Sequence, residues 1–572
     1  MKLVLDMVHH NPGEAQFETA FLDPRRLAAY GYNGQVFKHI NCAASFDAFD
    51  GRVFPIGSPE RAWIDRLAEQ LQRQNLKAKK AGLQVYYHID LFVLPKNLIA
   101  LCRDDICDPE TGRISLDRPK TLEVHHILFE EICGRFPEVD GFIVRVGETY
   151  LFDTPHHVGN SPIPIVGEPW TPIYRYRTIL KGEPTPPAWT SAQVEAYVKL
   201  LRFLREELCV RHGKRLIFRT WDIFPDKLHA VSDHYLEVTD QVEPHPLLLF
   251  SIKHTALDFW RRVKVNECLT RGCHQQVIEV QCAREYEGKG AYPDYVMEGL
   301  FNGFEENTSP IGLRDLLRHP LIQGVYGWSR GGGWYGPYVK NELWCDLHGY
   351  VLGQVASGAA GDEESAFNDY CINRIGLSSE DVRRFRELCL LSSTAVLKGR
   401  YCEAFDAVLK ESVLPSGLWM RDDRLGGQQQ LALVFEYLID HQLLDQALAE
   451  KAESVEIWKC ICQLAGRISS GSPRFLDHLR VSADYGRLLF SIVEAGWRLL
   501  AADALNDDAG EILERYDALW DKYRRLATSP QCASLYHGTY FCLPAADPVP
   551  GLDDSVHRIR LRLAAREKIA AV

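Results

Sequence analysis

Three short apolar runs of this chain each lead to an acid: Phe142-Ile143-Val144-Arg145-Val146-Gly147-Glu148, Ser251-Ile252-Lys253-His254-Thr255-Ala256-Leu257-Asp258-Phe259, and Val280-Gln281-Cys282-Ala283-Arg284-Glu285-Tyr286. Carboxylates at the ends of strands are suited to gripping a water between two of them while a third donates a proton, which is the chemistry of glycoside hydrolysis. One acid at a strand-to-helix junction equally well caps the next helix. The joint placement of Glu148, Asp258 and Glu285 is what points to catalysis.

Positive residues follow the same pattern. Arg145 precedes Glu148 by three positions, Arg219 lies in Ile217-Phe218-Arg219-Thr220-Trp221-Asp222, and Lys253 closes its own run. A cation inside an apolar strand needs a charged partner. Two readings stay open: Arg145, Arg219 and Lys253 hold a substrate carboxylate, or they pair with Asp222, Asp258 or Glu285 as a structural network. His254, Trp221, Tyr286 and Trp334 join the candidate binding residues, with Trp260 and Trp328 as further rings for stacking on a sugar or for packing. His9, His10, His39, His88, His156 and His157 also fall near strand ends. His9 and His10 are adjacent and point apart, so no metal site is expected there, and no cofactor either. Gly331-Gly332-Gly333 lacks the Lys-Ser or Lys-Thr of a phosphate loop and reads as a sharp turn beside the pocket.

The elements that must position these residues repeat. Eight β-rich runs, at 3–10, 34–41, 83–94, 141–148, 215–224, 247–253, 277–285 and 323–329, alternate with helical or loop stretches. Nearly continuous apolar runs suit parallel strands buried on both faces, and this alternation predicts a (β/α)8 TIM barrel. Helices are expected over 59–81 and over 191–211, the latter capped by Ser191. The stretch 153–187, rich in Pro and Gly, reads as an insertion after the fourth strand. Past the eighth run the texture changes to amphipathic helices, including 428–450 and 485–506. The expected division is a catalytic barrel over 1–337 and an α-helical C-terminal domain over 338–572.

Bulk properties exclude some partners. The 572 residues carry a net charge of −12, which argues against a nucleic-acid backbone. Sixteen Cys, with Cys460-Ile461-Cys462 as the closest pair, form neither a disulfide framework nor a zinc ribbon. The opening Met1-Lys2-Leu3-Val4-Leu5-Asp6 meets an acid before a signal core forms, and no apolar run reaches spanning length. A cytoplasmic protein without membrane contact is expected.

These residues resemble the α-glucuronidases of glycoside hydrolase family 67. That family has a fourth-strand Lys before its catalytic acid, a fifth-strand Arg, a sixth-strand Val-Lys-x-Gly-Pro-x-Asp-Phe and a seventh-strand Gln-x-x-Gln-Glu-Tyr-x-Gly. The similar stretches here are Val144 to Glu148, Phe218-Arg219, Ile252 to Phe259 and Gln281 to Gly288. The resemblance implies an exo-acting, inverting hydrolase that releases a terminal α-linked glucuronic or 4-O-methylglucuronic acid from an oligosaccharide. Glu148 would be the general acid, Asp258 and Glu285 would activate water, and Arg145, Arg219 and Lys253 would bind the uronate. It also implies a homodimer through the helical domain. The sixth-strand Gly-Pro is Thr255-Ala256 here, Arg145 stands one position from the family's Lys, and the sequence opens in its first strand with no preceding β-sandwich. The alternatives are a glycosidase of the same fold on a galacturonide, rhamnoside or neutral sugar, and a non-catalytic carbohydrate-binding protein.

Overall fold

Runs in which almost every residue is buried become the staves of a barrel. The computed structural model describes residues 2–9, 19–38, 40–147, 154–160, 189–221, 225–307, 310–332, 341–408, 416–420, 428–527 and 552–570. Its barrel strands are β1 (Leu3–His9), β2 (Gly34–Lys38), β3 (Gln84–Asp90), β4 (Gly141–Arg145), β5 (Arg215–Arg219), β6 (Leu248–Lys253), β7 (Gln275–Gln281) and β8 (Ile322–Gly331). Each pairs in parallel with its neighbours in sequence, and β8 pairs with β1 to close the ring. All eight coincide with expected runs.

Period-two alternation divides each strand between two cores. Leu5, Val36, Tyr86, Ile143, Ile217 and Tyr326 belong to a cluster inside the barrel. Their neighbours, such as Val4, Val85, Phe142, Leu216 and Phe250, join the larger core beneath the helices. Ser329 is skipped in the β1–β8 ladder, where Met7 faces Trp328 and Val8 faces Arg330. Its freed N–H and hydroxyl donate to Asp6, at 3.1 Å and 2.8 Å. The bulge thereby satisfies a carboxyl buried behind the barrel wall.

Local chemistry explains the helical layer. In α1 (Pro59–Lys80) the Ser58 hydroxyl accepts from the Arg61 N–H, Pro59 opens the first turn, and Lys77, Lys79 and Lys80 close the last. α2 (Pro119–Arg135) follows β3. α3 (Ser191–Leu204) is capped by Thr190 in a box with Gln193 rather than by Ser191, and the expected helix to 211 finishes as a π-helical turn over Arg205–Arg211. Val93–Pro95 and His157–Gly159 form a separate antiparallel ribbon, so the run expected over 83–94 holds two strands. Most of the 153–187 stretch, and the expected boundary at 337/338, lie outside the described residues.

After β8 the described chain is helical. α4 (Leu343–Ser357) packs on β8 and β1, and α5 (Ser379–Arg400), α6 (Leu444–Arg467) and α7 (Pro473–Leu505) lie in succession against one another. The helix expected over 428–450 is two, Gln428–Asp440 and Leu444–Arg467, with Gln442 between them at φ +58°. Among the described residues, no helix is long and apolar enough to cross a membrane.

This interior has a consequence for pH. Burial lowers the pKa of eight described histidines, His9, His125, His157, His229, His254, His274, His348 and His478, below the usual imidazole value. In the unfolded chain the same rings take protons near pH ~6.5. Their contribution is therefore complete above that pH and lost as pH falls below it. Burial raises Asp6 and Asp406 to about 7, and raises Asp294, which works in the opposite direction as the native state keeps those protons. The histidines outnumber the acids, so the thermal unfolding midpoint is expected to fall as pH is lowered from about 7 to about 5. A midpoint that rises over that interval would show the buried acids to dominate.

Candidate active site

Inside the barrel, apolar side chains near the amino ends of the strands give way to charge near the carboxyl ends. Continuing the inward parity of Val36, Tyr86, Ile143, Ile217, Leu249 and Val277 leads to Lys38, His88 and Asp90, Arg145, Arg219, Ser251 and Lys253, and Glu279 and Gln281. The carboxyl ends of barrel strands are where active sites of this fold are built.

The three expected cations all face this interior, and each holds an acid. Arg145 donates from Nε to Asp90 Oδ1 at 2.5 Å and from Nη2 to Oδ2 at 2.9 Å. Arg219 donates from Nε to Glu279 Oε2 at 2.9 Å and from Nη2 to Oε1 at 2.7 Å, and the Ser251 hydroxyl adds a bond to Oε2 at 3.2 Å. Both pairs are bidentate, the arrangement for which a planar guanidinium is suited. Lys253 donates to Asp258 Oδ1 at 2.5 Å, with its Nζ 3.7 Å from the Trp221 ring centroid and 4.9 Å from that of Phe259. Of the pairings with Asp222, Asp258 or Glu285 that the sequence leaves open, Lys253 with Asp258 is observed. Arg145 and Arg219 each hold an acid from another strand.

The acids themselves lie beyond the strands. β6 ends at Lys253 and β7 at Gln281, so Asp258 and Glu285 sit on the following loops, and the expected extension of β7 to Glu285 is corrected. On these loops Asp258 and Arg284 adopt φ of +44° and +53°, a conformation outside the pleat. The Thr255 hydroxyl closes the first turn on the Asp258 carbonyl at 2.6 Å. Gln281 holds the second turn, its Oε1 accepting the Glu285 N–H at 2.6 Å. The carboxylate of Glu285 packs on Gly332, where a Cβ would lie 2.2 Å from its Oε2. Gly332, at φ +96°, donates its N–H to the His9 carbonyl at 2.9 Å. The glycine turn after β8 is thus the floor beneath Glu285. β4 ends at Arg145 rather than at Glu148, and Glu148 lies outside the described residues, as do Trp334, Asp222, His10 and His39.

Trp328 links these groups. Its ring stacks on His9 at 4.3 Å and 9°, and its centroid lies 5.0 Å from the Arg219 guanidinium and 5.7 Å from Lys253 Nζ. His9 Nε2 lies 3.2 Å from Lys38 Nζ. Burial first, then Lys38, Arg145, His88 and Arg219, hold His9 well below the usual imidazole pKa. A neutral ring that accepts from Lys38 at Nε2 carries its own proton on Nδ1.

Two other expected binding residues pack against aromatic neighbours. His254 is buried one position past Lys253, stacked on Phe259 at 5.7 Å, and burial pushes it down to about 3. Tyr286 stacks on Trp260 at 4.9 Å, and Trp260 in turn meets Tyr401 from the helical region. The hydroxyl of Tyr401 accepts the Arg261 N–H at 3.0 Å and donates to Glu287, joining the loops after β6 and β7. Lys38, Asp90 and the pairing role of Glu279 were not singled out from sequence. The signal was present in the parity, since Lys38 follows Val36 by two and Asp90 follows Tyr86 by four.

The barrel is one found in glycoside hydrolases. A GH138 enzyme targeting pectin rhamnogalacturonan II superposes with a TM-score of 0.51 at 9% identity, over 99% of this chain and 67% of its own. An O-GlcNAc hydrolase from Thermobaculum terrenum gives 0.36 at 9% identity, over 99% and 96%. No family model and no curated protein matches the sequence. At such identity the likeness concerns the fold alone, and the α-glucuronidase resemblance rests on its motifs.

Proposed function

We propose that this chain is a glycoside hydrolase that removes a terminal α-linked uronic acid, glucuronic or 4-O-methylglucuronic acid, from an oligosaccharide with inversion. The observation that supports the reading is the pair of acid-bearing loops, with Asp258 and Glu285, directly above an interior lined by Lys38, Arg145, Arg219 and Lys253. A uronate brings a carboxylate to this mouth, and the cations offset its charge. Asp258, ion-paired to Lys253, presents a carboxylate able to accept a proton from water. Glu285 shares that task and Glu148 donates to the leaving oxygen.

The existing partners of Arg145 and Arg219 favour a second reading, in which both pairs are structural and the sugar is neutral. Proton NMR on a panel of terminal α-uronides, rhamnosides and neutral glycosides, with rhamnogalacturonan II fragments included, separates the two. Release of the β-uronate as the first product supports the proposal. First release of the α-anomer would overturn inversion, and turnover confined to neutral glycosides would overturn uronate specificity.

A further inference from the structure

Gln281 closes β7 with its side chain toward the barrel interior, on the parity of Val277, and it is only 2% exposed. The two backbone N–H groups that follow it, of Cys282 and Ala283, donate to the Trp328 carbonyl at 2.9 Å and 3.2 Å, so the residue stands on a fixed stretch of wall. Its amide has one orientation. The Glu285 N–H can be met only by an acceptor, which places Oε1 there at 2.6 Å and turns the NH2 the other way. Among the described residues that Nε2 has no hydrogen-bond partner, although it is buried. Unmatched buried donors are costly, and one at the mouth of a barrel is placed to meet a bound group.

Gly332 marks the place this amide faces. A Cβ there would lie 3.0 Å from Gln281 Nε2 and 2.2 Å from Glu285 Oε2. Two atoms that close to one point can both bond a single water, because its two hydrogen bonds of about 2.8–3.0 Å each reach farther. The loop of the other acid is tied to this one. Arg284, the neighbour of Glu285, donates from Nη1 to the carbonyl of Phe259, the neighbour of Asp258, at 3.1 Å.

Resting on the hydrolase reading above, we propose that Gln281 positions the attacking water. The water accepts from Nε2–H, gives one proton to Glu285, points the other at Asp258 and keeps a lone pair for the anomeric carbon. In the reaction that pair forms the new C–O bond, the electrons of the glycosidic bond leave with the aglycone oxygen, which takes the proton of Glu148, and the water's proton ends on Glu285. An amide donates without titrating, so it adds no charge beside the acids. Its contribution is orientation. The oxygen of the amide holds the backbone of Glu285 while the nitrogen holds the water, so one side chain fixes both partners of the proton transfer.

The test is steady-state kinetics of the full chain on whichever terminal glycoside it cleaves, comparing the parent with Gln281→Glu and Gln281→Met. Gln281→Glu keeps an oxygen for the Glu285 N–H and replaces the NH2 alone, while Gln281→Met loses both. In each, kcat is expected to fall by on the order of 10²-fold, with KM near the parent's and the circular dichroism unchanged. The loss in Gln281→Glu should persist as pH is raised, where a carboxylate that merely raised the pKa of Glu285 would cease to matter. It should persist on the 2-deoxy analogue of the substrate as well. Parent-like kcat in Gln281→Glu would overturn the proposal and reduce Gln281 to a brace for the turn. So would a loss that vanishes at high pH, or one that vanishes on the 2-deoxy sugar and so belongs to a bond with the 2-hydroxyl. If the parent cleaves only neutral glycosides, the uronate reading fails while the same kcat loss on those sugars upholds the role of Gln281. A parent that cleaves no glycoside overturns both.

Discussion

Glu285→Gln is expected to leave the protein folded and to lower its sugar turnover by about 10²- to 10⁴-fold, the range spanned by a positioned acid or base. The replacement has the same shape, and the backbone N–H at position 285 keeps its bond to Gln281. Asp258→Asn is a less clean experiment, because it also leaves Lys253 buried without its carboxylate. Gly332→Ala approaches the same group from behind. Its methyl would have to displace a carboxylate oxygen 2.2 Å away, and φ of +96° is strained for any residue with a Cβ. Its loss should fall on kcat, because the acid is moved while the cations keep their places. Initial rates and circular dichroism check both. Full activity in Glu285→Gln would remove Glu285 from the chemistry.

Glu279→Gln is expected to destabilise the protein by about 3–5 kcal/mol, because it removes the carboxylate that pairs with the Arg219 guanidinium in a site where both side chains are 0% exposed. Arg219→Met with Glu279→Met should recover most of that loss, since removing a buried pair altogether spares the desolvation of both ions. The comparison bears on function as well. If Arg219 meets the uronate, the double variant is folded and thermally close to the parent, yet poor on uronides. If the pair only braces the barrel, the double variant keeps its turnover. Thermal unfolding and steady-state rates on the same preparations separate the outcomes.

The barrel was legible because each strand announces itself locally, by a run buried on both faces. Strand ends were harder to read. The runs toward Glu148 and Glu285 look continuous in sequence, but the pleat stops at Arg145 and Gln281, and the second is followed by a backbone turn at Arg284 that composition does not encode. The same distinction divides the site. Lys253 and Asp258, five residues apart, form a pair that spacing suggests. Arg219 and Glu279 are sixty apart and Arg145 and Asp90 fifty-five, so these unions exist only once the ring is closed. The π-helical turn over Arg205–Arg211 is likewise invisible to a 3.6-residue period.

The Tyr401 hydroxyl lies at the meeting point of two loops and a helix, accepting from Arg261 and donating to Glu287. The loops bearing Asp258 and Glu285 are thereby tied to one another from a distant stretch of chain. The two acids proposed to share one water are thus tethered through a residue that belongs to neither of their loops. A phenol outside the barrel altogether thereby helps fix the relative placement of the two acid-bearing loops.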